Sequence, residues 1–265
     1  MLLAGHFLSD LHFEFGEVPT GLPSIGEDVV VLAGDIHTGL DGIRWARQAI
    51  TDREVLYVMG NHEFYGQNFD VTLENAKRYA EGSNVTLLEN TSKVIGGVRF
   101  AGATLWTDFR ITGAEQQATS LEAAGELMND FLLIRRGPEG LTHKLLPIET
   151  LQFHKQSRTW LEREISGSAQ PVVVISHHGP FEGASAEQYH GDILSGAFNS
   201  DLIALMVKPV KAWIFGHTHH NVETRIGSAL VVSNQRGYRH EKLPGFGWER
   251  CIEIFPDHSK LAQPC

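Results

Sequence analysis

The chain has 265 residues, 42% of them hydrophobic and 20% charged, which suits one domain of the α/β size class over residues 1–265 with a large core. Its formal net charge is −10 with no basic arm or stripe. That disfavours duplex nucleic acid and anionic lipid as bulk partners, since both need clustered Lys and Arg. No apolar run reaches membrane-spanning length, and the first residues lack the basic and apolar regions of a leader. Two cysteines, Cys251 and Cys265, are too few for a disulfide framework. The expectation is a cytoplasmic protein whose terminal Cys265 is loose. A local positive site made by metal ions would still attract a phosphate.

In chain order, Phe7-Leu8 reads as the end of a strand and Val29–Leu32 as a second strand. Residues 39–51 carry Ile43, Ala46, Ala49 and Ile50 at helical spacing, and Val55–Met59 is a third strand. A helix over 69–80 comes next, with Leu73, Ala76 and Tyr79 on one face. Gly96-Gly97 then joins a hairpin of Lys93–Ile95 and Val98–Ala103. Residues 114–131 have helical composition and fall between strand groups, so a helical insertion near 110–150 is expected to cap one end of the sheet. Its Leu127, Met128 and Phe131 are expected to pack, and 135–146 to form a surface loop. A helix over 148–165 precedes the strands Pro171–Ile175 and Ala212–Phe215, and Gly227-Ser228 joins a last hairpin, Val222–Ile226 with Ala229–Ser233. The principal strands are continuously apolar, as strands buried on both faces are. Alternating strands and helices with hairpin edges give an α/β fold of layered, mixed sheets with helices outside.

The chemistry lies in the residues just past each strand. The ends deliver Ser9-Asp10-Leu11-His12, Gly34-Asp35-Ile36-His37, Gly60-Asn61-His62-Glu63, His177-His178 and Gly216-His217-Thr218-His219. Each of these alone is an ordinary turn. Five in succession at strand ends, which in α/β sheets face a common crevice, point to one metal site. Asp and Asn offer hard oxygen and His borderline nitrogen, with no thiolate, a set suited to Mn, Fe, Zn or Ni. The inventory is too large for one ion with open positions. Two ions sharing a carboxylate fit better, the arrangement used for in-line phosphoryl displacement.

These five motifs, in this order, resemble those of the calcineurin-like metallophosphoesterase superfamily. The resemblance implies a four-layered αββα sandwich of two mixed β-sheets flanked by helices. By that resemblance Asp10, His12 and His219 would hold one metal ion and Asn61, His177 and His217 a second, with Asp35 bridging. A metal-bridging hydroxide would attack phosphorus, and His62 would give a proton or hydrogen bond to the leaving oxygen. Glu63 would sit behind the ligands or cap the next helix. The family pattern favours His177 over His178 as ligand and leaves His178 to line the substrate side. His37 and His220 lie beside ligands, as exposed residues or as supports for them, and His6 is expected in the core.

The departures narrow the branch. Gly34-Asp35-Ile36-His37-Thr38-Gly39 and Phe64-Tyr65 lack the two phosphate-clamping arginines of the Ser/Thr protein phosphatases. Thr38 stands where purple acid phosphatases carry a tyrosine ligand. The remaining similarity is to small bacterial phosphodiesterase-like members. A phosphodiester or pyrophosphate-type substrate is therefore expected, with a phosphomonoesterase, a non-catalytic metal-binding scaffold or a DNA-end nuclease as alternatives. Arg236 in Ser233–Tyr238 is a candidate phosphate binder. Tyr189 and Phe198 are expected in the core, with stacking on a substrate as the alternative.

Overall fold

In the computed structural model, residues 2–257 and 259–265 are described. The elements are β1 (Leu3–Leu8), β2 (Val29–Ala33), α1 (Asp41–Ala49), β3 (Glu54–Val58), α2 (Phe69–Ala80), β4 (Val85–Leu87), β5 (Thr91–Ile95) and β6 (Val98–Ala103). The insertion carries α3 (Gln117–Leu127), α4 (Asn129–Leu133), β7 (Arg135–Arg136) and β8 (His143–Lys144). Then come α5 (Pro147–Ser166), β9 (Val172–Ser176), β10 (Val210–Phe215), β11 (Glu223–Ile226), β12 (Ala229–Ser233), β13 (Cys251–Ile254) and β14 (Gln263–Pro264).

Two six-stranded sheets form, in the orders β14-β13-β1-β2-β3-β4 and β11-β12-β10-β9-β6-β5. In the first, β1 to β4 run parallel, β13 pairs antiparallel with β1, and β14 pairs antiparallel with β13 at the edge. In the second, β12, β10, β9 and β6 run parallel between antiparallel β11 and β5.

The period of two along each strand explains the layers. Val29, Val31 and Ala33 of β2 pack with Val173, Ile175 and Ile214 of the other sheet. Val30 and Leu32 turn outward to Ile43 and Ala46 of α1 and Ala76 of α2. On the far side, Val172, Val174 and Trp213 meet Leu161 and Ile165 of α5. The result is the expected αββα sandwich, whose strands are apolar throughout because both faces are covered.

Several elements depart from the sequence-based expectation. β1 extends back to Leu3, although Gly5 and His6 lie within it. His6 is fully buried, with Nδ1 3.2 Å from Glu27 Oε1. The 135–146 loop contains the two-stranded β7–β8 ribbon. The alternating segment at 251–254 is a strand between β1 and β14, and it ties down the C-terminus: Cys251 is disulfide-bonded to Cys265. The terminal cysteine is therefore not loose. Among the described residues no helix is long and apolar enough to cross a membrane.

Candidate metal centre

The parallel strands of both sheets end at one edge, and their ends are joined there. His177 Nδ1, after β9, is 2.9 Å from the Ala33 carbonyl at the end of β2. The backbone N–H of His217, after β10, donates to Asp10 Oδ1 (2.9 Å) after β1. The turns are unusual. Asp10, His12, Asp35, His217 and His219 all adopt positive φ, between 45° and 72°, a region costly for residues with a side chain and concentrated at functional sites. Close approach explains the flanking glycines: a Cβ on Gly34 would lie 2.4 Å from His177 Nδ1, and one on Gly60 2.1 Å from Asp35 Oδ1.

Three sets of side chains bring ligand atoms within 4.8 Å of one another: Asp10, His12 and His219; Asp35, His177 and His217; and His12, Asp35 and His62. Asp35 belongs to two of them. Its Oδ1 is 3.3 Å from His177 Nε2, and its Oδ2 is 3.8 Å from His12 Nε2 and 3.9 Å from His62 Nε2. Asn61 Oδ1 is 2.9 Å from His177 Nε2. His12 and His219 turn their Nε2 atoms to each other at 3.0 Å.

The donor set fits metal ions. His217 Nε2 is buried with no hydrogen-bond partner among the described residues. Burial and the neighbouring His178 and His177 hold His217 well below its ordinary pKa, in the neutral form that ligates. Burial alone would raise the Asp35 pKa, but the positive charge of His177, then His62 and His12, holds it well below the usual carboxylate range.

A buried frame orients these groups. Glu63 is fully buried, and its carboxylate accepts from the N–H groups of Asp35 (3.0 Å), Ile36 (3.0 Å) and Gly60 (2.8 Å) and from the Tyr57 hydroxyl (2.6 Å). It thereby locks the β2 and β3 turns together. Burial and the Asp35 charge push its pKa up to about 7. Glu14 Oε1 lies 3.0 Å from His12 Nδ1 and 2.8 Å from His62 Nδ1, so each imidazole presents its other nitrogen inward. Glu241 Oε2 does the same for His219, 2.6 Å from its Nδ1. Asp130 of α4 accepts from Asn61 Nδ2 (2.8 Å) and the Tyr65 hydroxyl (2.7 Å), both at Oδ1, which turns Asn61 Oδ1 towards His177. Of these supports only Glu63 is marked out by a motif in the sequence. Glu14, two residues after His12, is the one other within local reach.

The site opens into a cavity of about 630 Å³ lined by Asp35, Asn61, His62, His217 and His219 among others. Leu127 and Met128 from the insertion and Tyr189 and Phe198 from the loop after β9 form apolar walls. Leu127 and Tyr189 are 65% and 51% exposed, so neither packs in the core as expected; Phe131 does. Phe198 is stacked on His217 at 4.8 Å.

Two candidate residues lie elsewhere. His178 does not reach the substrate side. It is buried behind His217, with Nδ1 3.1 Å from the Thr104 carbonyl and its ring 5.0 Å from Trp106. Arg236 is outside the main cavity; its guanidinium donates to the Leu11 carbonyl (3.0 Å) and sits over Phe13 and Trp248. His37 Nδ1 is 3.3 Å from Thr38 Oγ1, and the His220 carbonyl accepts from Gln235 and Ser233.

A cluster of Asp, Asn and His at the joined strand ends of an αββα sandwich defines a metal-dependent phosphoester hydrolase. The chain belongs to the calcineurin-like phosphoesterase family, which residues 6–221 match. It is 26% identical to a protein of Acanthamoeba polyphaga mimivirus described as uncharacterized, over 89% of this chain and 91% of that one. Its fold is similar to that of the phosphopantetheinyl hydrolase PptH from Mycobacterium tuberculosis, with a TM-score of 0.73 at 19% identity over 96% of each chain.

Proposed function

We propose that the chain hydrolyses a small phosphodiester or pyrophosphate-type ester at a dinuclear centre, working as one domain over residues 1–265. Asp10, His12 and His219 would hold one ion, Asn61, His177 and His217 the other, and Asp35 would serve both. Mn, Fe, Zn and Ni all suit these ligands. When bound, such ions supply a nucleophile from water at neutral pH and offset charge on the phosphoryl oxygens. The observation that carries the reading is Asp35, whose two oxygens face the two halves of the cluster.

His62 is the candidate proton donor. Its Nδ1 is engaged by Glu14, and its Nε2 faces the cavity 3.3 Å from the Tyr238 hydroxyl. Burial opposes its charged form, but Asp35 and Glu14 push its pKa up to about 9. The ring stacks on Tyr65 at 4.2 Å, so its plane is fixed.

The preference for a diester rests on the cavity wall. Its lining includes the acidic Asp192 and Glu241 and, among the described residues, no Lys or Arg. A monoester dianion needs more cationic compensation than a diester monoanion. The expected result is a higher kcat/KM for an aryl phosphodiester than for the matched monoester on the Mn²⁺-loaded protein. A monoester preference of about tenfold or more, ~1.4 kcal/mol in transition-state binding, would overturn the diester reading.

Asp130 offers a separate test. Asp130→Ala leaves the Asn61 amide and the Tyr65 hydroxyl without their buried acceptor, and should weaken binding of one ion by about 10–100-fold, the usual cost of losing a group that orients a ligand. Asp130→Asn keeps an oxygen at the same position and should restore most of the affinity. Metal titration followed by calorimetry checks both variants; equal losses in the two would remove Asp130 from this role.

A further inference from the structure

Beside the main cavity lies a second groove of about 280 Å³, lined by Arg236, Tyr238, Arg239, Lys242, Leu243 and Phe246. Tyr238 and Leu243 line both hollows, so the two are contiguous. In a chain of net charge −10, three cations in seven consecutive residues stand out. The carboxylate within those seven residues, Glu241, is committed to His219 Nδ1 and to the Tyr238 N–H (2.6 Å). Arg239 and Lys242 are exposed and have no partner among the described residues.

The groove is also organised. Arg236 is held by the Leu11 carbonyl, with its guanidinium over the Phe13 and Trp248 rings, so its planar head is oriented before any ligand arrives. Lys242 adopts a φ of 49°, a conformation that a residue with a side chain takes only at a cost. Partial burial and the charge of Arg239 together lower the Arg236 pKa, as expected for two like charges brought together without a counterion. Tyr238 marks the junction, since its hydroxyl is 3.3 Å from His62 Nε2. A substrate whose leaving group passes Tyr238 would carry its next portion into the basic groove.

We propose that this groove is an anion subsite that binds a second phosphate on the substrate, beyond the scissile ester. The inference rests on the main cavity being the phosphoester site. It reconciles an acidic and apolar reaction cavity, suited to a monoanionic diester, with guanidinium and ammonium groups in the adjoining groove, across Tyr238 and Leu243. Arg236, held by the Leu11 carbonyl, forms a fixed wall of that groove, and Arg239 and Lys242 supply its exposed cationic groups.

The test compares the phenyl phosphodiester of thymidine with the same ester carrying a second phosphate on the para position of its phenol, the leaving group. The wild-type protein should favour the doubly phosphorylated ester by about tenfold or more in kcat/KM, through KM, as charge-assisted contacts to two cations would give. In Arg239→Ala/Lys242→Ala that ratio should fall to within about twofold of unity, and added salt should reduce it in the wild type, since the groove is exposed. A wild-type ratio near unity, or a ratio that survives the double substitution, overturns the subsite. If neither ester is cleaved, the phosphoester reading of the main cavity fails instead. The subsite is then decided by calorimetric binding of the same two esters to both proteins. The same tenfold advantage, lost in the double variant, supports it, and equal binding overturns it.

Discussion

Asp35→Ala should strip both metal ions from the protein and abolish hydrolysis of an aryl phosphodiester. Asp35 is 2% exposed, and its carboxylate faces His177 on one side and His12 and His62 on the other. One of its oxygens also accepts from the His62 N–H (2.9 Å), so the same group sets the position of the candidate proton donor. Without it, the imidazoles and the Asn61 amide remain around a centre that has lost the charge shared by its two halves. Loss of binding can be read without turnover. An ion at a hundred times its Kd stabilises the folded state by about 2.7 kcal/mol per site, on the order of 5–10 °C in a domain of this size. Mn²⁺ should therefore raise the Tm of the wild type and leave that of Asp35→Ala unmoved. His219→Ala, which touches only the Asp10 and His12 side of the cluster, should keep about half of the shift. If Asp35→Ala still binds two ions, Asp35 does not bridge them.

His62→Ala should keep the metals and lose rate by about 10²–10⁴-fold, the usual contribution of a positioned general acid. The loss should be largest for alkyl leaving groups and shrink for p-nitrophenolate, which departs with little protonation. His62 lies within ligand distance of Asp35 and His12, so metal content is the discriminating readout. An unchanged ion count with a leaving-group-dependent rate marks a proton donor, whereas loss of an ion marks a ligand. Glu14→Gln should reproduce part of the effect, because one carboxylate oxygen holds the Nδ1 atoms of both His12 and His62.

The features legible in the sequence are those that chain neighbours encode. Val29–Ala33 and Val172–Ser176 are wholly buried because sheet covers one face and helix the other, and that leaves an unbroken apolar run in the sequence. The polar strand-end motifs come directly after such runs, so their convergence can be inferred from strand order alone. The supports of the site are different. Asp130 reaches Asn61 across 69 positions of sequence, from a five-residue helix with no pattern that sets it apart. Glu241 meets His219 from a turn whose form depends on its own contact with the Tyr238 N–H. Leu127 and Tyr189 read as core because apolar residues usually are; only the packing of α3 against the loop after β9, where Ser120 donates to the Ile193 carbonyl, turns them towards a cavity. The adjacent His177 and His178 cannot be separated by residue type. They differ in which carbonyl each ring meets, Ala33 across the sheets or Thr104 behind the site.

Every role proposed for these residues depends on two ions sharing this cluster. Elemental analysis of the wild-type protein, reconstituted with Mn²⁺ and freed of unbound metal, tests that most directly. The expected result is two ions per chain, falling to one in Asn61→Ala, whose side-chain oxygen lies on the His177 half of the cluster. One ion per chain in the wild type, unchanged by Asn61→Ala, would contradict it.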